Sequence, residues 1–280
     1  LGQAKKIMNH FKPDLVIGVG GYASVPALLM AKLSGIPYLI HEQNAIPGLS
    51  NRLLGRWAEL ICLSFAGSGS GFKRNKIVVT GNPLRQGLDT VAAEIPQPGQ
   101  LLIFGGSRGA KAINQAVVKM LPLLKQKLEI LHQTGDADFL QVQQGYRAAG
   151  FDPQQVVPFI DDMAAAYADS SLVICRAGAT TLAELTICGR AAILIPFPHA
   201  AGDHQTANAQ TLKNHGAAIL LPQDELIPER LATLVQNLLA DQQTLQNMAN
   251  QGRQLSVPGA AERILNQCRR LLGEPLVEGA

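Results

Sequence analysis

Short apolar runs alternate with longer stretches of helical spacing along the whole chain. The short runs are rich in β-branched residues and predict strands in DLVIGVG, IPYLIHE, ELICLSF, KIVVTG, QLLIFGG, EILHQTG, VVPFI, SLVICRAG, AAILIPF and AAILLP. Between them, stretches such as ASVPALLMAKLSG, GAKAINQAVVKMLPLLKQKL and TTLAELTICG predict helices. This alternation predicts βαβ units, and hence an α/β fold with doubly wound parallel sheets.

The segment QGLDTVAAEIPQPGQ, residues 86–100, interrupts the alternation with two prolines, two glycines and no sustained apolar period. It predicts a boundary between two Rossmann-like domains. We place an N-terminal domain at 1–88, a linker at 89–100 and a C-terminal domain at 101–258. The last segment, 259–280, contains a helix that could pack back on the N-terminal domain. Since the chain opens inside a helical stretch without methionine, we expect it to begin downstream of the natural N-terminus.

Composition narrows the class of protein. The chain has 280 residues, of which 47% are hydrophobic and 16% charged, so it can bury a large core. The net charge of +3 is small and the basic residues are scattered, which argues against nucleic acid as a partner. No apolar run approaches the ~20 residues of a membrane span. The cysteines form no CxxC pair and are expected to be buried, reduced thiols: Cys62, Cys175, Cys188 and Cys268.

Candidate chemistry lies where the predicted strands end, because open α/β sheets bind ligands beyond the carboxyl ends of their strands. GVGGYAS (18–24), FGGSRGA (104–110) and CRAGATTLAE (175–184) are glycine-rich strand ends. Their glycines let the backbone approach a ligand, and the following helix N-termini favour anions. Ser107 could bind phosphate or simply cap a helix. Glu184 could complete a capping box or bind sugar hydroxyls.

Three further segments add polar groups. HEQNAIPG (41–48) follows a strand, GNPLR (81–85) ends in an arginine that could bind a ligand or only a carboxylate, and the loop 196–209 offers amides to a sugar. The two histidines and the aspartate of that loop lack a supporting ligand set, so we predict no metal. No G-x-G-x-x-G with a following acidic residue is present, which argues against a nicotinamide dehydrogenase. The pattern favours a nucleotide-type ligand held between two Rossmann-like halves.

Six motifs, taken in order, resemble those of the MurG family over essentially the whole chain: GVGGYAS, GIPYLIHEQNAIPGLSNR, VTGNPLR, FGGSRGA, PFIDDMAAAYADSSLVICRAGATTLAE and IPFPHAAGDHQTANA. Members are UDP-N-acetylglucosamine:undecaprenyl-pyrophosphoryl-MurNAc-pentapeptide N-acetylglucosaminyltransferases. The resemblance implies the GT-B fold, with two Rossmann-like domains facing a cleft. It also implies that the C-terminal domain binds UDP-GlcNAc and that the N-terminal domain handles the lipid acceptor.

The resemblance further implies a set of substrate-binding residues at the matching positions. Ser107 would reach the pyrophosphate, and Ile160 would hold uracil through its backbone. Glu184 would bind the ribose hydroxyls, and Gln205 the GlcNAc hydroxyls. The full set is Asn44, Arg85, Ser107, Ile160, Ala179, Thr180, Thr181, Glu184 and Gln205.

The implied reaction is inverting, needs neither metal nor cofactor, and forms no covalent intermediate. The MurNAc C4 hydroxyl of lipid I attacks the anomeric carbon of UDP-GlcNAc, which yields lipid II for peptidoglycan synthesis. The enzymes act as peripheral proteins at the cytoplasmic face of the bacterial plasma membrane. The family's GGTGGH-type loop, with its histidine as general base, has no match, so we expect the base in an upstream segment. Alternatives are another GT-B enzyme, such as a UDP-GlcNAc 2-epimerase or a glycolipid glycosyltransferase, and an inactive donor-binding fragment.

Overall fold

The computed structural model describes residues 1–96 and 99–276. By their contacts these residues form two compact α/β units. Unit 1 comprises Leu1–Leu84 together with the chain from Val257 onward, and unit 2 comprises Arg85–Ser256. In the sequence-based division, residues 85–88 lie in the N-terminal domain and residues 257–258 in the C-terminal domain.

Unit 1 contains a parallel sheet with the strand order β1-β2-β3-β4. The strands are β1 (Val16–Gly18), β2 (Tyr38–Glu42), β3 (Leu60–Leu63) and β4 (Ile77–Val79). Helix α1 (Gly2–Phe11) precedes β1, α2 (Gly21–Leu33) connects β1 to β2, and α3 (Leu49–Leu54) lies between β2 and β3. All four strands were predicted, and each is shorter than the apolar run that predicted it.

The two faces of this sheet follow the period of two along β2. Tyr38 and Ile40 join a buried cluster with Leu28 of α2 and Leu54 of α3, while the intervening Leu39 points to the opposite face. Tyr38, Leu39 and Ile40 are all buried, so both faces of the sheet are covered. A parallel strand that is buried on both faces reads as a continuous apolar run, which explains why YLI was recognisable from sequence.

Unit 2 contains a larger parallel sheet with the strand order β10-β9-β8-β5-β6-β7. Its strands are β5 (Gln100–Phe104), β6 (Ile130–Gln133), β7 (Val156–Val157), β8 (Ser170–Cys175), β9 (Ala191–Leu194) and β10 (Ala218–Leu220). Its helices are α4 (Lys111–Met120), α5 (Phe139–Ala148), α6 (Met163–Asp169), α7 (Ala179–Cys188), α8 (His204–Asn214), α9 (Pro228–Ala240) and α10 (Gln242–Gln254). The order reverses at β5, which pairs with β6 on one side and β8 on the other.

Helices cover both faces of the unit 2 sheet, as the predicted doubly wound fold requires. Ile103 of β5 packs in one buried cluster with Val117 of α4 and Val235 of α9, and none of these three side chains is exposed. On the opposite face, Phe104 meets Tyr167 of α6 edge-on, with ring centroids 6.2 Å apart and ring planes at 88°. Each fully buried side chain of this size contributes about 1.5–3 kcal/mol to folding.

The last helix, α11 (Ala260–Leu272), belongs to unit 1. Its Ile264 and Cys268 pack against Leu39 of β2 and Cys62 of β3 and cover the second face of that sheet. The chain entering α11 passes close to Gly81, where an added Cβ would lie 2.7 Å from the Val257 carbonyl oxygen. Gly81 also has φ +83°, so both the space and the backbone require glycine.

Two sequence-based expectations have clear outcomes. The helix predicted in GAKAINQAVVKMLPLLKQKL is shorter than expected: α4 ends at Met120, and a 3₁₀ turn at Leu121–Leu123 follows because Pro122 cannot donate a helical hydrogen bond. The prediction of buried cysteines is confirmed, since all four are buried and unpaired. Among the described residues, no helix combines the length and apolar character that crossing a bilayer would need.

Candidate functional site

A cavity of about 240 Å³ lies in unit 2, at the carboxyl ends of the strands beside the reversal at β5. This is the place where open α/β sheets bind ligands. The last residues of β5 and β6 and residues that follow β5, β7 and β8 converge on it, together with the first residue of the unit. The lining residues are Arg85, Phe104, Gly106, Ser107, Gln133, Phe159, Ile160, Met163, Thr180, Thr181 and Glu184.

The structure brings together six of the nine residues named from sequence: Arg85, Ser107, Ile160, Thr180, Thr181 and Glu184. The other three do not line this cavity. Ala179 is the buried first residue of α7. Gln205 lies in the first turn of α8, where its Oε1 accepts a hydrogen bond of 2.9 Å from the Phe197 backbone N–H. Asn44 lies in unit 1.

The loop between β5 and α4 carries Ser107 into the cavity. Ser107 is exposed and lies four residues ahead of Lys111, where α4 begins; Ala110 is the N-cap, and no side chain caps the helix. The interpretation of Ser107 as a helix cap is therefore wrong, and its hydroxyl is not used in that way. This loop packs closely against the loop that follows β6. A Cβ added to Gly109 would lie only 1.7 Å from the Thr134 carbonyl oxygen, so the contact leaves no room for a side chain.

A buried polar network holds these two loops. Asn114 of α4 donates from Nδ2 to the Thr134 carbonyl at 3.0 Å and to Asp138 Oδ2 at 2.8 Å. Its Oδ1 faces His132 Nε2 at 3.1 Å, and His132 Nδ1 faces the Tyr146 hydroxyl at 3.0 Å. Burial lowers the pKa of His132 to about 3, so the ring is neutral. Since Asn114 Oδ1 can only accept, Nε2 carries the ring proton and Tyr146 donates to Nδ1.

Glu184 is the buried carboxylate of the site. Helix α7 begins at Ala179 with Gly178 as its N-cap, so no threonine occupies the cap position and the predicted capping box is wrong. Instead, the Tyr167 hydroxyl donates to Glu184 Oε2 at 3.1 Å. Glu184 is only 6% exposed, and burial raises its pKa, whereas the hydrogen bond from Tyr167 and the positive charge of Arg85 oppose that rise.

In unit 1, the polar segment HEQNAIPG is organised around Glu42, which is buried at the end of β2. Its Oε1 accepts hydrogen bonds from the Asn44 backbone N–H at 2.9 Å and from Asn44 Nδ2 at 3.3 Å. Its Oε2 accepts from the Gly48 backbone N–H at 2.9 Å and from Asn51 Nδ2 at 2.8 Å. Glu42 therefore fixes this loop from inside and orients Asn44, a role that the sequence analysis did not assign.

Arg176 is a second residue that the sequence analysis missed, although it stands in the quoted strand end CRAGATTLAE. Its Nη1 donates to the carbonyls of Ile195 and Pro196 at 3.1 and 3.0 Å, and its Nη2 donates to Gln223 Oε1 at 2.7 Å. Arg176 thus ties down the start of the loop that leads to Gln205. Within the described part of the chain, no group of three His, Cys, Asp or Glu side chains could hold a metal ion.

The fold and the cavity together are those of the nucleotide-binding α/β class, in which a ligand lies at the strand reversal of a parallel sheet. Comparison with known proteins narrows this class. Residues 100–264 match the family model of the glycosyltransferase family 28 C-terminal domain, and residues 1–62 match that of the N-terminal domain.

Curated relatives carry one common name: UDP-N-acetylglucosamine–N-acetylmuramyl-(pentapeptide) pyrophosphoryl-undecaprenol N-acetylglucosamine transferase. The relative from Syntrophotalea carbinolica is 54% identical over 271 residues, which cover 96% of this chain and 76% of the relative. The relative from Geobacter sulfurreducens is 46% identical, over 95% of this chain and 75% of the relative.

Among solved structures, Acinetobacter baumannii MurG is similar with a TM-score of 0.81 and 40% identity, over 95% of this chain and 77% of that one. The chain therefore belongs to the MurG family of family 28 glycosyltransferases, which confirms the resemblance and the predicted GT-B class of fold. A UDP-GlcNAc 2-epimerase from Neisseria meningitidis, bound to UDP-GlcNAc, shares the fold alone: its TM-score is 0.66 at 12% identity, over 96% of this chain and 79% of that one.

Proposed function

We propose that this protein is an inverting N-acetylglucosaminyltransferase that moves GlcNAc from UDP-GlcNAc to the MurNAc C4 hydroxyl of lipid I and forms lipid II. The relatives that bear the corresponding name are 44–54% identical over at least 94% of this chain. The observation that carries the proposal for the donor is that six of the nine residues named from sequence line one cavity in unit 2.

The cavity suits the nucleoside part of the donor. Its volume of about 240 Å³ is below the roughly 300–1,000 Å³ of pockets that enclose a drug-sized ligand, so it accommodates only part of a nucleotide sugar. We assign uracil to the backbone of Ile160 and the ribose hydroxyls to Glu184. Phe104 and Phe159 supply apolar surface beside these polar groups, which is the usual composition of a ligand site.

The pyrophosphate belongs at the glycine-rich side of the same cavity. Gly106 and Ser107 line it from the loop after β5, and Thr180 and Thr181 line it from the first turn of α7. A helix N-terminus presents backbone N–H groups and a partial positive charge. When the C4 hydroxyl attacks the anomeric carbon, negative charge grows on the departing UDP. These donors and the Ser107 hydroxyl stabilise that charge.

Two assignments lie outside the cavity. Gln205 would bind GlcNAc hydroxyls with its Nε2, because its Oε1 already accepts from the Phe197 N–H. Asn44 of unit 1 stays a predicted donor contact, and Glu42 fixes its orientation within that unit. We also propose that the protein acts at the cytoplasmic face of the plasma membrane as a peripheral enzyme, because its acceptor and product are lipids.

Calorimetric titration tests the donor site. The chain should bind UDP-GlcNAc in preference to UDP-GalNAc and should not bind NAD. Glu184→Ala should weaken binding about 10- to 100-fold, because a carboxylate hydrogen bond contributes about 1.5–3 kcal/mol. Transfer of labelled GlcNAc to a lipid I analogue tests the reaction itself. Selective binding of NAD, or no nucleotide binding by the folded chain, would refute the donor assignment.

The epimerase alternative is not favoured. It rests on structures that share only the fold at 12–13% identity, whereas the transferase relatives are several times more similar in sequence. Incubation with UDP-GlcNAc alone separates the two reactions, because an epimerase would change the configuration at the sugar C2 without any acceptor.

A further inference from the structure

A hydroxyl that no proposed ligand contact uses lies directly behind the donor site. Tyr167 of α6 is fully buried and packs edge-on against Phe104 at the end of β5. Its hydroxyl donates to Glu184 Oε2 at 3.1 Å. Tyr167 does not line the cavity, whereas Glu184 and Phe104 do. Tyr167 therefore touches the site only through its neighbours.

This hydrogen bond makes the two carboxylate oxygens of Glu184 inequivalent, because only one of them has a partner within the described part of the chain. Among the described residues, Tyr167 is the only hydrogen-bond partner of Glu184, and it occupies Oε2. Since Glu184 lines the cavity, Oε1 is the oxygen left for a ligand. A glutamate side chain has three rotatable bonds, and its terminal torsion is broad, so an anchor on one oxygen restricts the other. The ring of Tyr167 is itself held by its complete burial, which gives the anchor a fixed position.

We propose that Tyr167 is the positioning residue of the donor site: it fixes Glu184 through Oε2 so that Oε1 meets the ribose hydroxyls of a uridine nucleotide. This inference rests on the proposed function of Glu184 and adds a residue to it. Without the hydrogen bond from Tyr167, the buried carboxylate of Glu184 would turn toward solvent, because a charged group that is buried without hydrogen bonds is costly.

The pH at which Glu184 protonates gives a second test of the role of Tyr167. Arg85 faces it with a positive charge, and the thiols of Cys175 and Cys188 lie near it. Burial raises the pKa of both thiols, so they stay protonated across the neutral and acidic range. Removing the Tyr167 hydroxyl removes one of the two interactions that oppose the raised pKa of Glu184. The carboxylate should then protonate at a higher pH.

The test is the variant Tyr167→Phe in the full chain, with UDP-GlcNAc affinity measured by calorimetry between pH 5 and pH 8. We expect binding to weaken about three- to tenfold at pH 8, the scale of one hydrogen bond. We also expect the loss of affinity on acidification to begin at a higher pH than in the unmodified chain. Tyr38→Phe is the matched control, because that tyrosine is also buried and donates its hydroxyl to the Leu54 carbonyl in unit 1, outside the cavity and its supporting loops.

A double variant separates positioning from general stability. Adding Tyr167→Phe to Glu184→Ala should change the affinity less than twofold, because Tyr167 acts through the carboxylate that is now absent. The double variant has no carboxylate left unpaired at position 184, so it keeps the test decisive if Tyr167→Phe alone unfolds. An additional loss beyond Glu184→Ala would overturn the inference. So would unchanged affinity and pH profile in a folded Tyr167→Phe chain.

The variant Glu184→Ala separates the proposed donor site from the positioning role of Tyr167. If Glu184→Ala binds UDP-GlcNAc as tightly as the unmodified chain, the proposed donor site fails, and the role of Tyr167 fails with it. If Glu184→Ala weakens binding but neither Tyr167→Phe nor the control Tyr38→Phe does, the donor site stands and only the positioning role is refuted.

Discussion

Gly109 makes the closest approach between the two loops that border the donor cavity. A Cβ at this position would lie 1.7 Å from the Thr134 carbonyl oxygen and 2.5 Å from its carbonyl carbon. The backbone at Gly109 also has a φ of +73°, a value that residues other than glycine rarely adopt. We predict that Gly109→Ala destabilises unit 2 and displaces the loop that carries Ser107.

The expected loss of stability in Gly109→Ala has two parts. Placing an alanine at positive φ costs about 1–2 kcal/mol. The overlap involves backbone atoms that cannot rotate away, and shifts of that kind cost typically about 1–3 kcal/mol more. The free energy of unfolding should therefore fall by about 2–5 kcal/mol. For a unit of this size, 1 kcal/mol corresponds to about 2–4 °C, so the melting temperature should fall by roughly 4–20 °C.

Gly150 provides the matched control. It has a similar φ of +77°, but nothing lies within 4 Å of an added Cβ. Gly150→Ala should therefore carry only the conformational cost of about 1–2 kcal/mol. Scanning calorimetry of the two variants isolates the overlap as the difference between them.

The affinity for the donor distinguishes the two glycine variants further. Gly109→Ala should weaken UDP-GlcNAc binding in the fraction that remains folded, and Gly150→Ala should not. Equal melting temperatures for Gly109→Ala and Gly150→Ala would refute the reasoning, because they would mean that the two loops separate without cost.

Three further predictions concern the polar groups that support each unit. Glu42→Gln replaces one acceptor oxygen by a donor, so at least one of its loop contacts becomes repulsive; we expect unit 1 to lose about 1.5–3 kcal/mol of stability in urea unfolding followed by circular dichroism. Arg176→Lys cannot reach two carbonyls and Gln223 together, and amide hydrogen exchange in residues 195–205 should accelerate while α4 stays protected. His132 has a pKa of about 3 in the fold against an ordinary value near 6.5, so the unfolded chain binds its proton first. Stability should fall by about 1.4 kcal/mol per pH unit from this residue as pH drops below 6.5, and His132→Gln should remove that slope from urea unfolding curves. An unchanged slope in His132→Gln would show that the ring is not held neutral.

The sequence was most informative where one local rule decides the structure. Strands β5 and β8 of unit 2 are buried on both faces, so LLIF and LVIC are continuously apolar, and each run is followed by a glycine or a polar residue. The rule that ligands lie at the ends of such strands pointed to the segments that carry Ser107, Thr180 and Glu184, whose roles in binding stay predictions.

Local rules failed where distant contacts decide. Capping preferences favour Ser107 as the start of a helix, yet α4 begins at Lys111, and the preceding loop is pressed against the Thr134 carbonyl. The pairing of Tyr167 with Glu184 joins two helices across 17 positions, and no periodicity within either helix predicts it. Glu42 likewise is an ordinary strand-end carboxylate in sequence, and only the folded loop shows that it accepts four hydrogen bonds.

The origin of α11 has a consequence for how the protein is made. Unit 1 is built from both ends of the chain, and about 170 residues of unit 2 lie between the sheet and the helix that covers it. At about 5–20 residues per second, a ribosome needs about 10–35 s to synthesise that interval. Unit 2 is continuous, so it can fold as soon as it emerges. Throughout that time Leu39 and Cys62 lack the cover that Ile264 and Cys268 later provide. During synthesis, the first segment of unit 1 therefore keeps one apolar face of its sheet exposed until α11 leaves the ribosome.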